Sequence, residues 1–428
     1  MKKCACLCFT LLVILVSAIY LPILYEKIFF KQIKKTHLFY SPVSRDFILK
    51  EKFTGTVPEQ ALTTSVDHHT GIAYQKAGNT YVSRREFEKH LPFIFYKNME
   101  IWGLLPLEID GKKFDKQTIK KNRRVLELKS GYITDRRPFT PLWPLLESNP
   151  GQARLVFPDD RFRMTPTAME FINTDTNRED KALTKTFTNA LKDCGFIFPV
   201  QSVNGKFTVL KPFDEGIFMV DAKFCVFHVK RLNGKPEIIK TPIDTNLKTR
   251  FIKISENRQK QYYGLLLTHT NQINLLSYDN YKLIPLPLKH YDPDCMDIKL
   301  IFNPLFCTAV YSDQTMIRAV AMDRNFMVIK KFSHTMSRAR VTLAKQVYHT
   351  LFPFCLHFDT KNSGFLSMQV QSEGKYALLG LIVCLGIFFS KTMLGRKKPP
   401  GLWKTALVAT TGIYGLIAIN MIDLDDEP

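Results

Sequence analysis

Acidic residues are in short supply. The 428-residue chain carries 39 Asp and Glu against 60 Lys and Arg, a formal net charge of +21. That sign excludes an acidic, solvating chain and points to anionic surfaces such as nucleic acid, lipid headgroups or acidic glycans. Cysteine is also sparse. Of its 9 residues, Cys4, Cys6, Cys8 and Cys384 fall in apolar runs. Cys194, Cys225, Cys295, Cys307 and Cys355 are odd in number and widely spaced, with no Cys-x-x-Cys pair, which excludes a disulfide framework. Cys225, Cys307 and Cys355 stand within apolar alternation and read as small buried hydrophobes. There is no Walker A loop, G-x-G-x-x-G, H-E-x-x-H, G-x-S-x-G or paired Cys/His zinc spacing, so no sequence signature assigns a reaction. Aromatics, in contrast, make up 12% of the chain, 33 of them Phe, which excludes global disorder.

Three apolar runs are long enough to cross a bilayer as helices: Cys4–Tyr25, Tyr376–Ser390 (extendable to Leu394 if Lys391 snorkels) and Thr405–Ile422. The small-x-small stretch Val16–Ala18 resembles a signal-peptide cleavage site. The apolar residues that follow it favour a retained anchor. Lys391, Arg396, Lys397, Lys398 and Lys404 lie between the last two runs, and short basic loops stay on the cytoplasmic side. With Lys2 and Lys3 they outnumber Lys27, Lys31, Lys34 and Lys35 on the far side of the first run. The expected topology therefore has three transmembrane α-helices, an extracytoplasmic middle and an acidic tail ending outside. On that topology nucleic acid is no partner, and the bilayer is one.

The middle carries a weak repeat. "GIFMVDAKFCVFHVKRLNGKPEIIKT" has turn signals at Ala222-Lys223 and Asn233-Gly234. "YGLLLTHTNQINLLSYDNYKLIPL" has them at Thr270-Asn271 and Asp279-Asn280. "CTAVYSDQTMIRAVAMDRNFMVIKKF" has them at Asp313-Gln314 and Arg324-Asn325. Each unit reads as an extended stretch followed by strand, turn, strand, turn, strand. This is the rhythm of a four-stranded propeller blade, with a β-sandwich as the alternative. Residues 206–334 are expected to contain almost no helix. Before them, Ser83 and Glu86 have capping-box spacing for a helix to about Trp102 with a kink at Pro92. Asn177 is read as the cap of a second helix that Gly195 ends. Thr335–Leu351 is expected to be a third. The expected division is an N-terminal membrane anchor (1–35), a mixed α/β part (36–205), a β-repeat part (206–334), a helix with closing strands (335–375) and a two-span transmembrane hairpin (376–422). Gly380, Gly386, Gly412, Gly415 and Ala418 would let the C-terminal spans pack closely with each other or with a partner's helices.

Chemistry-bearing clusters are few. Asp67–His69 is the most metal-like, but adjacent strand residues point to opposite faces. Asp292, Asp294 and Asp297 lack the glycine and distal Glu of a calcium loop. Asp175–Asp180 suits a helix start, and the neighbours Asp159 and Asp160 suit a solvated turn better than an acid–base pair. His228 and His357 stand within strands and read as structural. No catalytic residue, cofactor or metal is assigned.

"THLFYSPVSRDFI", "DEGIFMVDAKFCVFHVKRLNGKP" and "LFPFCLHFDTKNSGF" resemble a bacterial family of membrane-anchored proteins defined by a domain of unknown function. The resemblance covers the N-terminal span and nearly all of the middle. It implies a companion of ABC-type transport systems, and transfers no catalytic residue. The expected function is a membrane-anchored extracytoplasmic interaction or accessory protein in the inner (cytoplasmic) membrane, beside a partner such as a transporter. The alternative is a membrane-bound enzyme acting on envelope glycans or lipids, and a solute-binding module is a third reading. A deep polar pocket with several titratable groups would favour the enzyme.

Overall fold

Asn233 and Gly234 both adopt positive φ, 51° and 77°. This is the backbone a two-residue hairpin turn requires. Such turns fold the middle of the chain back on itself again and again. The computed structural model describes residues 2–30, 32–54, 72–76, 80–336, 339, 342–359, 363–372, 374–395 and 401–422.

Helix α1 (Lys2–Phe29) leads into β1 (Gln32–Tyr40), β2 (Phe47–Thr54), β3 (Ile72–Lys76) and β4 (Thr80–Tyr81), an antiparallel sheet in that order. Helices α2 (Arg84–His90) and α3 (Tyr96–Ile101), the hairpin β5 (Leu107–Ile109) and β6 (Lys112–Phe114), and α4 (Lys116–Asn122) precede β7 (Arg124–Leu128). β8 (Asp160–Met164), β9 (Met169–Asn173) and β10 (Arg178–Glu179) form a second sheet, followed by α5 (Lys181–Asp193). Two four-stranded meanders follow: β11 (Ser202–Gly205), β12 (Ile217–Val220), β13 (Val226–Leu232) and β14 (Lys235–Lys240), then β15 (Thr249–Ile254), β16 (Tyr262–Thr268), β17 (Ile273–Ser277) and β18 (Leu283–Pro285). The last meander, β19 (Asp297–Phe302), β20 (Cys307–Ser312), β21 (Met316–Met322) and β22 (Val328–Thr335), gains β7 on the outer edge of β19. Helix α6 (Leu343–Leu351), the hairpin β23 (Cys355–Asp359) and β24 (Ser367–Gln371), and helices α7 (Gly374–Gly395), α8 (Leu402–Thr411) and α9 (Ile413–Ile422) complete the chain.

All six expected turn positions fall in the links between strands, and residues 206–334 hold one three-residue 3-10 turn, Thr245–Leu247, as their helical content. The sheets stack face to face through shared cores. Phe162, Phe171, Met219 and Phe227 join β8–β10 to β11–β14, and Phe218, Val220, Ile252 and Leu276 join β11–β14 to β15–β18. Leu265, Leu275, Ile298 and Leu300 join β15–β18 to the sheet of β19–β22, and Leu38, Phe47, Ile317 and Ala319 join that sheet to β1–β4. The result is a row of five sheets. Among the described residues no core joins the two outermost sheets, so the expected propeller does not close into a ring. The faces that would have to meet are otherwise used: α2 seats Phe87 on the far face of the last sheet, and the first sheet turns the Arg163–Glu170 ion pair outward, while α5 packs Phe187 and Leu191 into the core that the first two sheets share.

Local signals fared unevenly. The Ser83 side chain accepts from the Glu86 N–H as expected, but α2 stops at His90, just before Pro92, and α3 restarts at Tyr96. Helix α5 is capped by Asp180, whose carboxylate accepts from the N–H groups of Ala182 and Leu183. Asn177, the expected cap, instead supplies a positive-φ turn at 52° between β9 and β10. Helix α6 begins at Leu343, not Thr335, because β22 pairs with β21 as far as Thr335.

Two helices, Ala5–Phe29 and Gly374–Leu394, are long and apolar enough to cross a membrane. The third expected span is corrected: it breaks at Gly412, where φ is 59°. Helices α8 and α9 have 10 residues each, roughly 15 Å, about half a hydrocarbon core. Gly412 packs by Pro353 and Leu381, and the chain then returns along α1 until Asn420 accepts a hydrogen bond from Lys391 Nζ at 2.5 Å. The run is thus a folded-back pair that ends where it began, beside Lys391, and not a span whose end lies across the bilayer.

Gly264 sits at a bulge between β16 and β17, where a Cβ would run into the carbonyl oxygen of Lys253. Gly264→Ala is therefore expected to lower unfolding stability by about 1–3 kcal/mol, read as a shifted denaturant midpoint at constant m-value. An unchanged midpoint would show that β15 and β16 do not approach this closely.

Candidate functional site

The bulge at Gly264 shifts the register after Tyr262, the first residue of β16, which pairs with Ser277, the last residue of β17. In the neighbouring sheet Arg124 pairs with Phe302, Phe302 with Cys307, and Cys307 with Met322. These two rows are strand ends facing one another, and they bound a cleft of about 700 Å³. The equivalent turns of the two meanders, Asp279–Lys282 and Asp323–Phe326, form its rim.

Arg124 is the central group. It is only 9% exposed, yet its guanidinium lies over the rings of Tyr262 and Phe302, at 4.3 and 4.2 Å. Nε has no hydrogen-bond partner, and among the described residues no carboxylate pairs with the guanidinium. Burial pushes its pKa below the ordinary arginine value, and the positive charge of Arg324 adds to that; the Tyr262 hydroxyl and the Cys307 thiol act the other way. Arg324 is held in place by donating to the carbonyl of Asn303 at 3.1 Å and to Asn122 Oδ1 at 3.3 Å. Lys260 pairs with Glu215 at 3.2 Å, and Lys282 completes the basic rim. Of the two carboxylates lining the cleft, Asp323 already accepts from the N–H groups of Asn325 and Met327. Cys307 forms the floor. Burial pushes its thiol up to about 12, against the pull of both arginines, so it stays protonated and is no activated nucleophile. The arrangement can hold an anion.

A family model described as a domain of unknown function matches residues 37–322. The chain belongs to the DUF4857 family. No curated protein matches it. The DUF4857 region begins within β1 and ends at the last residue of β21, so it holds both walls of the cleft and stops at the edge of the Asp323–Phe326 turn. Helices α1 and α6–α9 lie outside it.

Among the described residues, the cleft gathers none of the clusters singled out in the sequence. Asp67–His69 lies outside the described residues. Asp294 pairs with Arg250 at 2.8 Å and Arg136 at 3.2 Å, while Asp297 accepts from the Ser130 N–H. Asp292 accepts from the Asp294 N–H. Asp160 is buried against Arg231 at 2.8 Å, and Asp159 is exposed. Of the Asp175–Asp180 stretch, Asp180 serves as the α5 cap. His357 is half-buried opposite Gln369 in the β23–β24 hairpin. Arg124, Tyr262 and Phe302 passed unnoticed because their meeting depends on β7 pairing with β19, far along the chain. The one available signal was the recurrence of the two rim turns.

His228 is structural. Its ring stacks on Phe218, its Nε2–H donates to the Glu215 carbonyl at 2.5 Å, and the Tyr281 hydroxyl donates to Nδ1 at 2.9 Å. Burial lowers its pKa from 6.5 to about 4. The folded state thus keeps the ring neutral while the unfolded chain takes up a proton. Its contribution to stability is complete above the unfolded value of 6.5 and falls as pH drops toward 4, by up to about 1.4 kcal/mol per unit. Thermal unfolding followed from neutral pH into that window should show His228→Gln with a flatter acid dependence than the native chain; parallel curves would place the acid-sensitive group elsewhere.

Proposed function

We propose that this DUF4857 protein is a membrane-anchored interaction or accessory protein. It displays a blade-like row of sheets on the extracytoplasmic face of the cytoplasmic membrane and works beside a membrane partner such as an ABC-type transporter. The observation that carries this reading is the state of its apolar helices. Ile14 and Ala18 of α1, Tyr348 and Phe352 around α6, and Tyr414 and Ala418 of α9 share one buried cluster. Both ends of the chain therefore build a single helical unit. Yet the outward faces of α1 and α7 stay bare, with Leu378 63% and Ile382 65% exposed. Such surface suits lipid or a partner's helices.

Orientation is supported by charge. With two crossings, Lys2 and Lys3 and the basic loop from Lys391 to Lys404 share a side, which the positive-inside rule makes cytoplasmic. Two of the small residues serve the chain itself, Gly380 against the Thr350 carbonyl and Gly412 against Pro353, while Gly386 of α7 has open space beside it. Contact with a partner then falls to the exposed aliphatic face of α7. The cleft does hold several titratable groups, but cations predominate, which suits binding better than hydrolysis.

A reporter fused after Leu394 should read as cytoplasmic and one placed in the Asn233-Gly234 turn as extracytoplasmic; the reverse pattern overturns the orientation. A photo-crosslinking residue at Leu379 or Ile382 should capture a membrane protein in cells. If both sites yield lipid adducts alone, the helices are mere anchors.

A further inference from the structure

Among the described residues, Arg124 is a cation that the fold buries without an anion. The two rings lie against the guanidinium and the Tyr262 hydroxyl touches it, which leaves the planar fork with N–H donors to spare for a ligand. Burying an unpaired charge is unfavourable, and a cation–π contact offsets part of that. A site of this kind is stable in waiting only if something supplies the missing charge.

We propose that the cleft binds an oxyanion, a carboxylate or phosphate, carried on an apolar or aromatic body. The Arg124 guanidinium takes the oxyanion in a two-pronged contact, the geometry arginine makes with both groups. Arg324 stands beside it, already fixed by Asn303 and Asn122. Lys282 and Lys260 make the approach attractive to anions. The body is required by space and by wall chemistry. A cleft of about 700 Å³ is far larger than a free inorganic anion needs, and falls in the range of sites for drug-sized ligands. Its walls include Leu283, Ile284, Pro285 and Phe326 beside Tyr262 and Phe302. The lowered pKa of Arg124 agrees with this, since an incoming anion would restore what burial removes. None of this rests on the membrane reading: a soluble anion and a lipid headgroup carry the same chemistry, and the test separates them.

The full chain, purified in detergent, is titrated calorimetrically with phenyl phosphate. Saturable binding at one site is expected, with phenol and inorganic phosphate each markedly weaker. Arg124→Met is expected to weaken phenyl phosphate by at least about tenfold, the loss typical of a charge-assisted hydrogen bond. The same variant is expected to raise the melting temperature of the ligand-free chain, because an unpaired buried charge has gone; a purely structural arginine would lower it. Arg324→Gln, on an exposed turn, gives a second reading of affinity should Arg124→Met fail to fold. Displacement of phenyl phosphate by dihexanoylphosphatidic acid would assign the lipid source, and its failure to displace would assign a soluble one. The proposal is overturned if the native chain shows no saturable binding at millimolar phenyl phosphate, or if neither variant changes the affinity. It is overturned equally if phenol or inorganic phosphate binds as tightly as phenyl phosphate.

Discussion

Strands β12, β16 and β21 have no free face, and the rest of the molecule follows from that. Side chains alternate across a strand, so neighbouring residues must satisfy two different cores. In β12, Ile217 and Met219 enter the core shared with β8–β10, while Phe218 and Val220 enter the core shared with β15–β18. In β21, Val320 and Met322 face one neighbour, and Ile317, Ala319 and Ala321 the other. A one-residue slip would exchange both sets at once, which fixes register more strongly than a one-sided sheet can. Double burial also requires that polar groups between sheets be matched. Lys211, tucked between two meanders, pairs with Asp214 at 2.6 Å and Glu256 at 2.5 Å, with all three side chains almost fully buried. Burial pushes the Glu256 carboxyl up while Lys211 draws it back. Paired in this way, the group pins one sheet to the next; broken, it would leave a bare charge in the core.

The cleft is where this regime ends. Sheets that pack tightly along their strands part at the strand ends, where turns replace paired backbone. Arg124, Tyr262, Phe302 and Cys307 are all first or last residues of their strands. There the walls can be aromatic, the rim basic and the interior open, without disturbing the cores behind. Position in the ladder, not any local motif, makes this the place where a cation stays buried and unpaired.

The helical unit obeys a different rule. Its interior is packed by small residues and by Tyr414, whose hydroxyl donates to the Phe354 carbonyl at 2.7 Å, while its exterior stays apolar. The break at Gly412 leaves the turn of the α8–α9 pair packed against Pro353 and Leu381, where protein and not lipid surrounds it. The hairpin of β23 and β24 ties this unit to the sheets: β23 packs on α1, and the Gly364 N–H donates to the Arg136 carbonyl at 2.7 Å.

Much of the fold was legible because its signals are local. Asn233-Gly234 and Asn271 specify turns through their own backbone preferences, and alternating apolar strands between such turns make meanders wherever they occur. The apolar runs of α1 and α7 likewise declare themselves by composition. Signals that compete with tertiary contact were misread: Asn177 prefers the turn it found, and a run of apolar residues from Thr405 reads as one helix until Pro353 and Leu381 come to lie against Gly412. By itself the sequence determined where the chain turns and which stretches are apolar enough for a membrane, since each depends on residues a few positions apart. Tertiary structure alone decided that the sheets form an open row, that the last apolar run doubles back to Lys391, and that Arg124 lies over the rings of Tyr262 and Phe302, because those contacts join strands and helices that local preference cannot bring together.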